Sequence, residues 1–189
     1  MVATSAVVTP GEVQSSKRIS VELYLSSMYH PDCDYVDGEL LERNVGETPH
    51  SVVQKFFTTF FASREKGWGV RVLPEARVQV SASRYCVADV CVVRRSTPLE
   101  PIIVTPPLVC IEVLLPEDRM SRTQEKVDDY ILMGVQTVWV IYPRRRRAFF
   151  ADRSVTLQPE TEMLTIAGTD VKVPVGEIFA ELDEFEALA

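Results

Sequence analysis

The stretch that decides the fold is Leu108–Tyr130, "LVCIEVLLPEDRMSRTQEKVDDY". It opens on an apolar run, Leu108-Val109-Cys110-Ile111, and resumes as Val113-Leu114-Leu115. A continuous aliphatic run of this kind reads as a buried strand. Ser121 with Gln124 three residues later has the form of a capping box, and Gly134 supplies a C-terminal stop. A helix is therefore expected over about Arg122–Met133. The apolar, β-branched "TVWVIYP" (137–143) reads as a second strand closed by Pro143. Strand, helix, strand predicts a right-handed βαβ-like unit. One residue does not suit a plain core strand, and that is Glu112.

Outward from this unit the pattern stays mixed. Ile19–Tyr29 reads as a short helix with Ser20 as its cap. Asp37-Gly38 lies between two strand-like arms and predicts a hairpin. Thr48 and Pro49 open a helix whose Val52, Val53, Phe56, Phe57, Phe60 and Phe61 recur at three- and four-residue spacing, with Gly67 at its end. "WGVRVLP", "ARVQVSA" and "RYCVADVCVVRR" read as strands, and the proline-rich "STPLEPIIVTPP" as a loop. Short strands are expected near Ala148–Ala151, Ser154–Leu157 and Val171–Val175, followed by an acidic helix. The fold class is α/β (α+β), a mixed sheet with a long helix on each side. Residues 1–18 read as a loosely attached lead-in, and 19–189 as a single domain.

Composition limits the function. The chain has 189 residues and a net charge of -7, from 27 acidic and 20 basic residues. That balance does not favour a nucleic-acid partner on global charge, so such binding would need a local basic patch or metal ions. No apolar run approaches the roughly 20 residues that span a bilayer. The start lacks a basic stretch followed by an apolar core and is not read as a signal peptide. Cys33, Cys86, Cys91 and Cys110 show no CxxC spacing, and His30 and His50 add no zinc-finger spacing. Free buried thiols in a reducing cytoplasm are the expectation.

Glu112 has a counterpart in Asp89, set inside "YCVADVCVV". Alternation along a strand places Asp89 with Val87, Cys91 and Val93, and Glu112 with Leu108, Cys110 and Leu114. An unpaired carboxylate on such a face costs several kcal/mol or takes up a proton. Either both acids lie at strand ends and are solvated, or one of three arrangements removes that cost: a buried Arg or Lys partner, a shared proton, or a divalent cation. A hard cation such as Mg²⁺ prefers oxygen ligands and keeps several waters, so one Asp, one Glu and a strand carbonyl suffice. Lys126, on the expected helix, lies at the border of the packed face marked by Val127, Tyr130 and Ile131. It reads either as a solvated lysine or as one leaning over the sheet edge.

The segments "CDYVDGELLERNVGETPHSVVQ", "RYCVADVCVVRR" and "LVCIEVLLPEDRMSRTQEKVDDYILMGVQTVWVIYP" together resemble the Uma2 family, also called DUF820, within the PD-(D/E)xK nuclease-like superfamily. The resemblance spans about residues 20–150. It implies a restriction endonuclease-like mixed sheet flanked by helices and a metal-dependent DNA endonuclease of the Uma2 type. Asp89 matches the first acid and Glu112 the second. Ala88 stands where a proline is usual, and Leu114 stands where the superfamily lysine falls. In the Uma2-like group that lysine comes from the following helix, here Lys126. Leu115 replaces a small polar residue.

By the same resemblance, Asp89 and Glu112 would hold Mg²⁺ or Mn²⁺ with the Val113 carbonyl. Lys126 would orient or help deprotonate water, or stabilise the transition state. Glu39 and His50 are secondary candidates as a further acid and a proton-transfer group, and Gln54 as an orienting residue. Arg119, Arg122, Arg144 and Arg145 are candidate contacts to the nucleic-acid backbone, each also readable as a solvated surface arginine. A homodimer is implied by this resemblance, and no membrane association is expected from the lack of a bilayer-spanning run. The alternative is a catalytically inactive nuclease-fold protein acting as a nucleic-acid-binding or assembly module. A carboxylate-pair hydrolase acting on a glycoside is a weaker third.

Overall fold

The computed structural model describes residues 7–8, 18–44, 46–154 and 156–187. Apart from Val7, Val8 and Arg18, the expected loose lead-in lies outside the described residues. Val7–Val8 (β1) pairs in parallel with Met28–Tyr29 (β2), and between them lies helix α1, Val21–Ser26. The Ser20 hydroxyl accepts the Leu23 N–H at 3.2 Å and caps α1 as expected. Cys33–Val36 (β3) and Glu39–Glu42 (β4) form the hairpin. Its two turn residues have positive φ, 51° at Asp37 and 98° at Gly38, the combination that a two-residue hairpin demands.

The long helix α2 runs Thr48–Ala62 and a short helix α3 runs Glu65–Trp68. Glu47, not Thr48, is the N-cap of α2, and it makes no capping bond. Its carboxylate instead receives Arg144 Nη2 at 2.9 and 3.2 Å. α2 ends at Ala62 with Ser63 as its C-cap, before the expected Gly67, which falls inside α3. Gly69, at φ 64°, closes α3, whose Trp68 packs on the rings of Phe60 and Phe61. The two expected strands "WGVRVLP" and "ARVQVSA" are one, β5 (Val70–Ser81), kinked at Glu75 where φ is 50°. After β6 (Arg84–Arg94) come β7 (Val109–Val113), α4 (Met120–Met133) and β8 (Thr137–Tyr142). β7 and β8 pair in parallel, from Val109↔Thr137 to Val113↔Ile141.

Helix α4 begins earlier than the capping-box reading places it. Arg119 is the N-cap and Ser121 lies within the first turn. The Asp118 carboxylate accepts the Leu115 N–H at 2.7 Å and closes the preceding turn, which delivers the chain to the helix at Met120. The chain ends in β9 (Arg147–Ala151), β10 (Gln158–Glu160), β11 (Met163–Thr165), β12 (Lys172–Pro174) and helix α5 (Val175–Ala187). The strand expected at Ser154–Leu157 falls later, at β10. The Ser154 N–H donates to Asp152 Oδ1 at 2.7 Å and turns the chain first.

Eight strands form one mixed sheet in the order β10-β9-β8-β7-β6-β3-β4, with β5 also paired to β6. Its two faces differ. Val109, Ile111, Trp139 and Ile141 face α2 and α5 and join Phe57, Phe61 and Ile178 in an apolar cluster. Cys110, Val138 and Val140 face the other way, towards Val127 and Tyr130 of α4. Leu108, just before β7, packs with the α2 cluster, so it does not share the Glu112 face as the alternation predicts. Along β6 the alternation changes phase at Asp89. Cys86 and Ala88 lie in the α4 cluster, and so do Cys91 and Val93.

The irregularity has a topological cause. β5 occupies one edge of β6 along its whole length, from Val70↔Arg94 to Ser81↔Arg84. The other edge is shared. β3 takes its start, at Tyr35↔Tyr85 and Val36↔Arg84, and β7 takes its later part, at Val90↔Ile111 to Val92↔Val109. Residues 86–89 therefore lie in a fork between two partners. Backbone groups there need other partners, because a buried peptide group left unpaired is costly.

Candidate active site

Side chains complete what the fork leaves open. Asp34 of β3 accepts the Val87 N–H on Oδ1 at 2.8 Å. Lys126 of α4 donates from Nζ to the Val87 carbonyl at 2.8 Å. Asp89 Oδ2 accepts the Val113 N–H at 2.7 Å, where the β6–β7 ladder has already ended. Gln54 of α2 donates from Nε2 to the Asp89 carbonyl at 3.1 Å. The site is thus built where two strands diverge, and the sheet cannot close there without polar side chains.

The charged groups converge on one small cavity of about 80 Å³, whose lining includes Asp34, Arg43, His50, Asp89, Glu112, Val113 and Lys126. Lys126 Nζ lies 2.9 Å from Glu112 Oε2 and 3.6 Å from Asp34 Oδ2. Tyr130, one turn further along α4, donates its hydroxyl to Glu112 Oε1 at 2.8 Å. Asp89 is ion-paired through Oδ1 with Arg43, and His50 Nε2 stands 3.3 Å from its Oδ2. Asp34, Asp89 and Glu112 are all buried. Two part-buried cations, Arg43 and Lys126, face these three carboxylates. Arg122 reaches Asp34 only at 3.8 Å, from a side chain 45% exposed.

Glu112 and Asp89 respond in opposite directions. Burial pushes Glu112 up to about 7, against the pull of Lys126. Burial acts the same way on Asp89, but the His50 hydrogen bond and the Arg43 charge outweigh it and hold Asp89 below the usual range. Burial works against the charge on Lys126, yet Asp34 and Glu112 outweigh it and raise the lysine. Lys126 is therefore a fixed positive charge at neutral pH. Burial, reinforced by Glu112, keeps the Tyr130 hydroxyl protonated as a donor.

The donor set fits a hard divalent cation. Two carboxylates on neighbouring strands and the strand residue Val113 border one cavity, and the three buried acids Asp34, Asp89 and Glu112 outnumber the two part-buried cations Arg43 and Lys126. Among the described residues no group of three or more His, Cys, Asp and Glu could hold a metal, so the remaining ligands would be waters, as Mg²⁺ prefers.

Of the residues expected at the site, Asp89, Glu112, Lys126, Val113 and His50 converge, and Arg119 and Arg122 border the cavity mouth. Gln54 stays behind Asp89 and holds its backbone. Glu39 is exposed on β4 and is not in the cavity lining. Nor are Arg144 and Arg145 in the lining: Arg144 pairs with Glu47, and Arg145 lies over the Tyr142 ring. The sequence reading missed Asp34, Arg43 and the hydroxyl of Tyr130. Asp34 had a usable signal, a charge between Cys33 and Tyr35 in a strand. Arg43 had none.

A mixed sheet flanked by helices, an acid on each of two adjacent strands and a lysine on the helix between parallel strands define a restriction endonuclease-like nuclease fold. The chain matches the Uma2 family, described as "Putative restriction endonuclease", over residues 22–170, and it belongs to that family. A crystal structure described as "a putative nuclease belonging to DUF820", from Anabaena variabilis ATCC 29413, matches with a TM-score of 0.77. The identity is 18%, over 87% of this chain and 99% of that one, a likeness that speaks for the fold alone. No curated protein matches the chain.

Proposed function

We propose that this protein is a metal-dependent endonuclease that hydrolyses phosphodiester bonds in DNA, using Mg²⁺ or Mn²⁺ held by Asp89, Glu112 and the Val113 carbonyl. The observation that carries this reading is the meeting of two buried strand carboxylates and a helix lysine in the β6 fork. When bound, the cation supplies Lewis-acid activation of water and neutralises charge on the phosphate. Lys126, kept protonated by Asp34 and Glu112, offers a preorganised positive charge for the oxygen on which negative charge develops. That supports its electrostatic role over a role as base. Tyr130 and Lys126 together fix the Glu112 carboxylate, and Gln54 fixes the Asp89 backbone. His50 is the group placed to move a proton near Asp89. Arg119 and Arg122 at the mouth are the positions for backbone phosphates, compensating locally for an acidic chain. A cytoplasmic homodimer formed by the 19–189 domain belongs to the same reading, and the four buried free thiols fit a reducing compartment.

A second reading has its own observation. Asp89 and Glu112 are each already engaged by a cation, Arg43 and Lys126. A noncatalytic nucleic-acid-binding or assembly module would keep such a cluster as structure. Incubation with plasmid DNA and Mg²⁺ or Mn²⁺ separates the two. The enzyme reading expects nicking by the wild type and a loss of about 100-fold or more for Glu112→Gln. Wild-type nicking no greater than that of Glu112→Gln would favour the module.

A further inference from the structure

The two cations of the site are held differently. Lys126 is 13% exposed and anchored by Glu112, Asp34 and the Val87 carbonyl. Arg43 follows the end of β4, outside regular structure, and its side chain is 19% exposed against 5% for Asp89. Its partner in the site is Asp89 Oδ1. The other oxygen, Oδ2, already faces the Val113 N–H and His50. Arg43 thus holds the one Asp89 oxygen that fixed groups leave, from the side that opens to solvent.

We infer that Arg43 is a resident competitor for the divalent cation, an inference that rests on the metal reading above. In the metal-free protein it neutralises Asp89. A divalent cation on the same carboxylate repels the guanidinium at close range, so Arg43 leaves Asp89 as the cation enters. The two binding events are negatively coupled, and by linkage each weakens the other equally. The released guanidinium lies at the cavity lining, where a substrate phosphate can take the place of the lost carboxylate.

Calorimetric titration with Mn²⁺ of the wild type, Arg43→Gln and Arg43→Lys tests this. Arg43→Gln is expected to bind Mn²⁺ about tenfold more tightly or better, with Arg43→Lys in between because an ammonium lacks the guanidinium fork. In chelator Arg43→Gln should melt below the wild type, and the gap should close as Mn²⁺ rises. If Arg43→Gln is too unstable to titrate, Arg43→Lys against wild type decides. Equal or weaker Mn²⁺ binding by the variants, with binding intact in the wild type, overturns the role of Arg43 and leaves the metal reading standing. No Mn²⁺ uptake by any of the three overturns both.

Discussion

The two faces of the central sheet use the same strands for opposite purposes. Under α2, strands β7 and β8 present Val109, Ile111, Trp139 and Ile141 to Phe57 and Phe61, an apolar cluster. Under α4, the intervening residues present Cys110, Glu112 and Val138 to Tyr130 and Lys126. One residue of register separates scaffold from chemistry. The lesson is that stability and charge can be tuned separately here, because each strand residue commits to one face.

The largest effect should come from the scaffold face. Phe61→Ala, at a fully buried ring, is expected to cost about 3–5 kcal/mol in urea unfolding. Nicking per folded molecule should stay at the wild-type level. A loss of nicking out of proportion to the folded fraction would break the separation of the faces.

The next effect crosses from chemistry into stability. Lys126→Met leaves Glu112 and Asp34 without their buried cation, and in chelator it should cost roughly 3 kcal/mol. Nicking should be lost with it. A variant as stable as the wild type would mean that the acids do not depend on Lys126.

The smallest expected change is at Glu112 itself. Its pKa is pushed from 4.5 to about 7, so the folded protein holds a proton there that the unfolded chain has released. Stability of the wild type in chelator should therefore fall as pH rises through the window from 4.5 to 7. Glu112→Gln should lack that slope and be neutral or stabilising above it. A fall of more than about 2 kcal/mol for Glu112→Gln in chelator would mark the acid as half of a structural ion pair instead.

Much of this was legible in the sequence. Asp89 and Glu112 stand out because a charge interrupts an apolar run, and Asp37-Gly38 and Gly134 mark turns that require positive φ. Other parts were not legible for physical reasons. Asp34 carries the same signature as Asp89, but the hairpin signal accounts for its segment without it. Alternation along β6 predicts one face for Val87 and Asp89, whereas the fork between β3 and β7 shifts the phase. Ser121 and Thr48 look like caps in isolation, yet the Asp118 turn starts α4 earlier, and the N-cap of α2 is Glu47, whose carboxylate is taken by Arg144. Arg43 reaches Asp89 across 46 positions of sequence, and no local pattern reports such a contact. Glu39, Arg144 and Arg145 have suitable chemistry and the wrong location, which only the topology decides.

The central claim is that the charged cluster under α4 is a metal site. Anomalous diffraction from a crystal soaked in Mn²⁺ tests it most directly. The account predicts a peak in contact with the carboxylates of both Asp89 and Glu112, lost in Glu112→Gln. A soaked crystal with no peak between those two acids, and with Arg43 still on Asp89, would contradict it.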